Sequence, residues 1–407
     1  MRTVEEALEL VRQQVTSAPS VRVAASEALG RTLAEDIASD VDSPPYDKAL
    51  VDGYAVVAAD CVSGTAQVRI VEEVMAGQVP TRPIGRGETT RVMTGAPLPE
   101  GADAAVMVER SQHIAADDGS LGEVILETAG ITPGRNIMRR GESMRRNDVV
   151  LHQGHTLRPI EIGLLAEVGR TEVEVIATPR VAVLSTGDEV VPADVQPGPG
   201  QIRNSNGPLL CAAVQRAGGL EIGLGIAPDR REGLAALIRK GLEADVLVLS
   251  GGVSAGVLDL VPAVLDSLGV REVFHKVRLK PGKPIWFGTL PGESRNKLVF
   301  GLPGNPVSSL VCFELFVRPA LQAIGGGEFA TQHRWPARLA GEFEHRGDRP
   351  TYYPGAIQEA AEGMCVTPLA WRGSADLYRL SQADALICFP AGDAKYPDGT
   401  PVSIIRI

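Results

Sequence analysis

Cysteine is scarce in this chain, and no two cysteines form the CxxC pair typical of zinc or redox sites. Their odd number argues against a full disulfide framework. The histidines are also dispersed, and Gly154 between His152 and His155 spoils a helical metal-binding face, so we expect no zinc site. Four of the five cysteines adjoin apolar residues or alanines, which predicts small core side chains. The cysteines are Cys61, Cys211, Cys312, Cys365 and Cys388.

Positive charge is also in short supply, since 40 Lys and Arg face 50 Asp and Glu for a net charge of -10. A protein that binds nucleic acid over a broad surface needs the opposite balance, although a small anion can still bind locally. No apolar run reaches the length of a membrane span. Residues 1–15 are acidic and amphipathic and lack the apolar core of a signal peptide. We therefore expect a cytoplasmic protein with neither nucleic acid nor a membrane as partner.

The length of the chain predicts several domains, because 407 residues exceed what one hydrophobic core usually accommodates. We predict a multidomain α/β plus β protein with four parts. These are a helical N-terminal and linker domain (1–44 and 141–178), an inserted β-rich domain (45–140), a doubly wound α/β domain with a parallel sheet (179–326), and a C-terminal β-barrel-like domain (327–407).

Local patterns support this division. The N-terminus predicts an amphipathic helix, and a second short helix is predicted over 26–33. Segment 45–140 is rich in Val, Thr, Gly and Pro, which favours short strands, and 155–178 predicts a helix that returns to the first region. From 180 to about 325, strands alternate with helices, as is typical of a parallel sheet covered on both faces.

Three polar, glycine-rich loops follow predicted strands of the α/β domain. Ligands of open parallel sheets bind at the carboxyl ends of the strands, so we expect these loops to share one site. Glycines let the backbone approach a ligand, and free N–H groups at a helix start suit a phosphate. The loops supply the candidate substrate-binding residues Ser185, Thr186, Gly187, Asp188, Ser250, Gly251, Gly252, Ser254, Gly256, Pro303, Gly304, Asn305, Pro306 and Ser308.

Three carboxylates belong to these loops, and we predict that Asp188, Glu189 and Asp259 hold Mg²⁺ or another divalent cation beside a phosphate. Each loop taken alone can instead be a tight strand-to-helix turn, and the acids can be N-caps or first-turn residues of helices. The loops match neither the Walker pattern GxxxxGK[ST] nor GxGxxG. The ligand site is predicted because three such loops occur on successive strand ends.

The segment 276–284, KVRLKPGKP, concentrates four cations in an acidic chain. Alternation along a strand would place Lys276, Arg278 and Lys280 on one face, and the Pro-Gly-Lys-Pro turn with Lys283 would keep the backbone stiff. One interpretation is a pocket for a compact oxyanion, since ammonium and guanidinium groups compensate multivalent anions. The other is a solvated edge strand protected by its lysines.

Six motifs, in this order and spacing, resemble those of the molybdopterin molybdotransferases, a family that includes bacterial MoeA and the E domain of gephyrin. Each motif alone is weak, but six in register are specific, and the match spans nearly the whole chain. The motifs are DGYAV from Asp52, RVMTGAP from Arg91, STGDE from Ser185, SGGVSAG from Ser250 with Asp259, KPGKP from Lys280 and GLPGNPVS from Gly301.

The resemblance implies a transferase of molybdenum cofactor biosynthesis. Such an enzyme binds adenylylated molybdopterin and molybdate, releases AMP and places molybdenum in the dithiolene, assisted by Mg²⁺ or another divalent cation. The resemblance also implies an elongated homodimer whose site lies between the α/β domain of one subunit and the β-rich domain of the other. Asp52 and Thr94 would then serve the partner's site. Other cofactor-biosynthesis proteins are conceivable partners.

The resemblance also implies roles for single residues. By motif match, Asp52, Glu189 and Asp259 are catalytic or cation-associated acids, and Asp229 matches a family acid near the pterin. Lysines of the pocket would attract molybdate as a dianion. The molybdate pocket would comprise Lys276, Lys280, Pro303, Pro306 and Ser374, together with Lys283 of the same basic segment.

The chain departs from the family pattern at several positions. Ser143 stands where the family often has an acid, and the lead-in to DGYAV, residues 47–51, is atypical. Pro354 occupies a position where the family commonly has an arginine of the presumed molybdate pocket. Arg349 or Arg372 could supply that charge.

Three other functions stay open. One is a gephyrin-like scaffold, although the intact Asp52, Glu189 and Asp259 favour catalysis. Another is a nucleotide pyrophosphatase of the CinA type, which shares only the α/β domain and is disfavoured by the full-length match. The last is a paralogue that uses tungstate instead of molybdate.

Overall fold

The computed structural model describes residues 1–253, 260–330, 333–360 and 363–407. Ser254, Gly256 and Asp259 of the predicted site therefore lie outside the described residues.

The N-terminal region is assembled from both segments that flank the insertion. Its core joins residues such as Leu33 and Ile37 to Leu157 and Leu165. The predicted helix over 26–33 is wrong, because only a single 3₁₀ turn forms before Gly30 takes a positive φ of 77°. The elements are helices Val4–Arg12 and Pro159–Glu167, the 3₁₀ turn Ala25–Glu27, and the paired strands Ser20–Ala24 with Glu172–Ile176 and Ile37–Ala38 with Val149–Leu151.

The N-terminal helix begins with the expected capping box, in which the Thr3 hydroxyl accepts from the Glu6 amide and the Glu6 carboxylate accepts from the Thr3 amide. Its buried residues Val4 and Val11 belong to the same apolar core as the α/β domain. The helix therefore packs on that domain.

The inserted region forms a six-stranded sheet, as the β-rich composition predicts. The strands, in spatial order, are Ala104–Met107, Gly53–Val56, Glu88–Val92, Thr65–Val74, Glu123–Glu127 and Ser111–Ile114. Lys48–Ala49 and Ile137–Met138, near the two ends of the inserted region, pair as a further two-stranded ladder.

The α/β region contains a six-stranded sheet that is mixed, so the prediction of a parallel sheet holds for only part of it. The first four strands are parallel, and the last two are antiparallel. In spatial order the strands are Leu220–Ala227, Arg180–Thr186, Val246–Ser250, Lys297–Leu302, Trp286–Leu290 and Arg271–His275. The short strands Val190–Val191 and Ile202–Arg203 pair beside it.

Helices cover both faces of this sheet. Val181 and Val183 point into one apolar core, whereas Ala182 and Leu184 point into the other, as alternation along a strand requires. The helices are Asn206–Arg216, Arg231–Gly241, Val261–Ser267, Pro306–Cys312 and Arg318–Ile324, the last two joined by a π-helical turn over Phe313–Val317.

The continuous helical stretch Pro306–Ile324 is long and apolar enough to cross a membrane, with a mean hydropathy of 1.4, contrary to the sequence expectation. However, 83% of it is buried inside the protein. It is therefore accounted for as the core helix of the α/β domain.

The C-terminal region is a closed five-stranded barrel, as predicted. Sequence patterns missed one of its strands, Thr351–Ala360, which contains Pro354 and Gly355. The barrel strands in order are Trp335–Leu339, Gly363–Pro368, Thr351–Ala360, Ala385–Phe389 and Pro401–Arg406. A small ladder of Phe343–His345 with Ala394–Tyr396 and the short helix Leu377–Leu380 complete it.

Candidate active site

The three glycine-rich loops meet because the parallel strands before them end at the same level. Ser185 pairs with Ser250, and Ser250 pairs with Leu302. The loops enclose a cavity of about 600 Å³, here called the loop cavity. The predicted residues that line it are Ser185, Thr186, Gly187, Glu189, Asp229, Ser250, Gly251, Gly252, Pro303, Gly304, Asn305 and Pro306.

Two asparagines that the sequence did not single out as site residues hold the loops together. The Asn206 side-chain amide donates to Ser250 Oγ at 2.8 Å and to the Gly304 carbonyl at 2.6 Å, joining the second loop to the third. Asn204 Oδ1 accepts the Ser185 hydroxyl at 2.9 Å and so fixes the first loop. Both asparagines also line the loop cavity.

Two glycines of the loops are required by close approaches. Gly251 has a φ of 95°, and a Cβ there would lie 2.9 Å from the Thr186 carbonyl oxygen. Gly187 has a φ of 134°, and a Cβ there would lie 2.4 Å from Glu189 Oε2. The Glu189 carboxylate therefore folds over a backbone position that only glycine accommodates without displacement.

Two acids of the site, Asp188 and Asp229, are joined by a reciprocal pair of hydrogen bonds. The Asp188 amide donates to Asp229 Oδ2 at 3.3 Å, and the Asp229 amide donates to Asp188 Oδ1 at 3.1 Å. Asp188 itself lies beside the cavity, whereas Glu189 and Asp229 line it. Among the described residues no three acids, cysteines or histidines form a metal-binding group. Magnesium usually binds through one or two carboxylates plus phosphate and water oxygens, and Glu189 with Asp229 fits that pattern.

A second cavity, of about 620 Å³, adjoins the first and is called here the basic cavity. Pro284, Pro303 and Asn305 line both cavities, so the two are direct neighbours. Of the predicted residues, the basic cavity is lined by Lys280, Lys283, Pro303, Asn305, Ser308 and Ser374.

The predicted basic strand over 276–280 is wrong. The edge strand ends at His275, and Lys276 takes a left-handed conformation with a φ of 70°, which breaks the alternation. Lys280 reaches the basic cavity, but Lys276 and Arg278 line neither cavity. Lys280 and Lys283 thus line the basic cavity, whereas Lys276 lies outside it.

The basic cavity lies where the α/β domain meets the barrel. The Lys280 amide donates to the Pro350 carbonyl at 2.9 Å, and the Tyr352 amide donates to the Lys280 carbonyl at 2.8 Å. The Asn305 side-chain amide donates to Ser374 Oγ at 2.8 Å. These hydrogen bonds fix two loops of the α/β domain against the barrel.

Arg349 lines the basic cavity, whereas Arg372 does not. The Arg349 guanidinium donates to the Leu279 carbonyl at 3.3 Å and pairs with Asp348 at 3.2 Å, and its side chain is 24% exposed. Pro354 is buried in the barrel and lines neither cavity, so of the two predicted substitutes Arg349 is the one placed to supply the charge.

Several lining residues of the basic cavity carry no motif and were missed by sequence analysis. His345 is 3% exposed; its Nδ1 lies 2.9 Å from the Gly392 carbonyl and its Nε2 lies 2.8 Å from the Thr351 hydroxyl. Because a carbonyl only accepts, the neutral ring carries its proton on Nδ1. The other missed residues are Phe343, Glu344, Arg346, Thr351, Tyr353, Trp371 and Gly373.

Comparison with known proteins gives the family. Models of the MoeA N-terminal region (domain I and II), a probable molybdopterin binding domain and the MoeA C-terminal region (domain IV) match residues 2–169, 182–323 and 336–407. A relative from Staphylococcus aureus (strain COL), "Molybdopterin molybdenumtransferase", is 31% identical over 408 residues, which cover 99% of this chain and 94% of the relative. The chain belongs to the MoeA family.

Solved structures agree with this assignment. A MoeA protein from Pyrococcus horikosii is 34% identical with a TM-score of 0.80, covering 99% of this chain and 98% of its own. A second, from Pyrococcus horikoshii OT3, is 27% identical with a TM-score of 0.84 and full coverage of both chains. The family resemblance predicted from the six motifs is confirmed.

Asp52 and Thr94 lie in the inserted domain of this MoeA family member. Asp52 Oδ1 accepts the Thr94 hydroxyl at 2.7 Å and the Thr94 amide at 2.6 Å, and these bonds lower the pKa of the Asp52 carboxyl below its usual value. Both residues are exposed, and neither lines the two cavities of its own chain.

Proposed function

We propose that this chain is a molybdopterin molybdenumtransferase that places molybdenum from molybdate into adenylylated molybdopterin and releases AMP. The transferase activity is the one named for full-length relatives. The observation that carries the proposal is that the two cavities adjoin and share Pro284, Pro303 and Asn305 in their linings. One cavity has the features of a phosphate site and the other those of an oxyanion site, so one substrate molecule can present its phosphates and its dithiolene to both.

The loop cavity is the proposed seat of the phosphates. Its glycine-rich loops bring backbone close to a ligand, and Gly187, Gly251, Gly252 and Gly304 all line the cavity. Mg²⁺ or another divalent cation, held by Glu189 with Asp188 or Asp229 and by Asp259, would neutralise phosphoryl oxygens. The residues of the chain hold the phosphates in place while the bond to AMP is broken.

The basic cavity is the proposed seat of molybdate. Lys280, Lys283 and Arg349 provide positive charge, and Ser374 and Ser308 provide hydroxyl donors. These cations line the basic cavity, whereas the acids Glu189 and Asp229 line the loop cavity, so the proposed anion site is separate from the proposed cation site.

We further propose a cytoplasmic homodimer in which Asp52 and Thr94 complete the partner's site. Their exposure and their distance from the cavities of their own chain support this arrangement, because both belong to motifs of the family. The shared hydrogen bonds keep Asp52 ionised and oriented for a role outside its own domain.

The proposal is tested by the dependence of AMP release on molybdate. Purified protein is incubated with adenylylated molybdopterin and Mg²⁺, with and without molybdate, and AMP is quantified against time. We expect rapid AMP release only when molybdate is present. AMP release at the same rate with and without molybdate would instead indicate a pyrophosphatase.

A further inference from the structure

The basic cavity is larger than an oxyanion requires, and one of its walls is aromatic. Phe343, Tyr353 and Trp371 all line it and are all half-buried. The Phe343 and Tyr353 ring centroids are 4.8 Å apart and the Tyr353 and Trp371 centroids 5.4 Å apart, both edge to face. In a chain with only 4% aromatic residues, this cluster, here called the aromatic wall, is a concentrated surface for a flat ring.

The wall is held rigidly. Phe343 stacks on Phe389 at 4.7 Å with an interplanar angle of 13°, and Phe389 is 1% exposed. Burial of the Tyr353 phenol raises its pKa, so the ring stays neutral. A preformed aromatic surface loses little conformational entropy when a ring stacks on it.

We propose that the aromatic wall binds the pterin ring of the substrate, an inference that rests on the proposed function. The substrate offers two planar heterocycles, the pyrimidinone ring of the pterin and the adenine. The dithiolene is attached on the pterin side, and molybdate must reach it. Because Lys280 and Lys283 line the same cavity as the wall, the ring beside them is the one that carries the dithiolene.

The cavity also supplies a polar partner for a pterin. Glu344 is the acid among its described lining residues, and its carboxylate pairs with Arg346 at 2.8 Å at the cavity rim. The pterin edge presents an amino group and a ring N–H side by side, which matches the two oxygens of a carboxylate. The phosphates would then extend past Asn305 toward the loop cavity.

The test measures binding of 6-hydroxymethylpterin and of adenosine by isothermal titration calorimetry, with the whole protein. Variants Tyr353→Leu and Trp371→Leu remove rings from the wall, and Tyr353→Phe keeps the ring. Tyr378→Leu is the matched control, because Tyr378 is 70% exposed and lines neither cavity. Molybdate binding and thermal unfolding of each variant report whether the cavity and the fold survive.

We expect each leucine variant to lose about tenfold in affinity for 6-hydroxymethylpterin, with adenosine affected little and Tyr353→Phe close to wild type. If the leucine variants lost affinity for adenosine and kept their affinity for the pterin, the wall would bind the adenine and the assignment would be overturned. The assignment would also be overturned if the leucine variants of the wall bound pterin as tightly as Tyr378→Leu does. The same holds if the wild-type protein bound no pterin at millimolar concentration. AMP release by the wild-type protein is assayed separately. A wrong assignment of the pterin site and an absent transferase activity therefore give different results.

Discussion

The side-chain amide of Asn305 donates to the Ser374 hydroxyl at 2.8 Å, and this hydrogen bond joins a glycine-rich loop of the α/β domain to the barrel at the boundary of the two cavities. Asn305 lines both cavities, whereas Ser374 lines the basic cavity. The pair thus lies at the point where the proposed phosphate and molybdate sites adjoin.

Asn305→Ala should raise the molybdate requirement by about twofold to tenfold, since a hydrogen bond of this kind contributes about 0.5–1.5 kcal/mol. The measurement is initial rate against molybdate concentration. Asn296→Ala is the control, because it removes a similar bond, to Gln14 at 3.2 Å, from residues that line neither cavity. If the two variants showed the same dependence of rate on molybdate concentration, this hydrogen bond would not be part of the molybdate site.

Gly187→Ala should lower turnover at least tenfold although it deletes no functional group. The new Cβ would lie 2.4 Å from Glu189 Oε2 at a φ of 134°, so the carboxylate must move. The free energy of unfolding should fall by about 1–3 kcal/mol because of backbone strain.

Gly163→Ala serves as the control for that substitution. Gly163 lies in the helix Pro159–Glu167 with nothing within 4 Å of a built Cβ, so the change should be neutral or stabilising. Wild-type turnover by folded Gly187→Ala would show that the position of the Glu189 carboxylate is unimportant.

Lys280→Ala should raise the molybdate requirement by on the order of tenfold to a hundredfold, since a charge-assisted contact contributes about 1.5–3 kcal/mol. Lys276→Ala should respond like wild type, because Lys276 lines neither cavity. The same titration should separate Arg349→Ala, which is impaired, from Arg372→Ala, which is not. An unimpaired Lys280→Ala would place the molybdate site elsewhere.

Asp52→Ala and Glu189→Ala should each be inactive as homodimers and regain part of the activity when subunits are mixed. In the mixed dimer, one of the two shared sites carries neither substitution. The measurement is AMP release after subunit exchange, with exchange verified by differently tagged subunits. No recovery despite verified exchange would place both residues in one subunit's site.

Local patterns predicted much of the fold because the decisive signals are short in range. The capping box of Thr3 and Glu6 and the alternation around Val181 depend on neighbours along the chain. The short helix predicted over 26–33 is wrong because Gly30 takes a positive φ, a conformation that ends a helix. The strand with Pro354 was missed because proline and glycine disfavour strands locally, whereas barrel closure fixes this one.

The loop cavity was foreseen better than the basic cavity for a physical reason. Ser185, Ser250 and Leu302 are aligned by parallel strand pairing, which sequence order predicts. Lys280 meets Tyr352 only through docking of the barrel, a contact between residues far apart in sequence. Their proximity has no local signal, and the left-handed turn at Lys276 could not be read from a run of alternating cations.

The most direct test of the central claim is the molybdenum content of the product. The protein is incubated with metal-free adenylylated molybdopterin and molybdate, the pterin is separated from the protein, and its molybdenum is measured by mass spectrometry. We predict a pterin that carries molybdenum and has lost AMP, with none formed by Glu189→Ala. A pterin that the wild-type protein binds but leaves free of molybdenum would contradict the account.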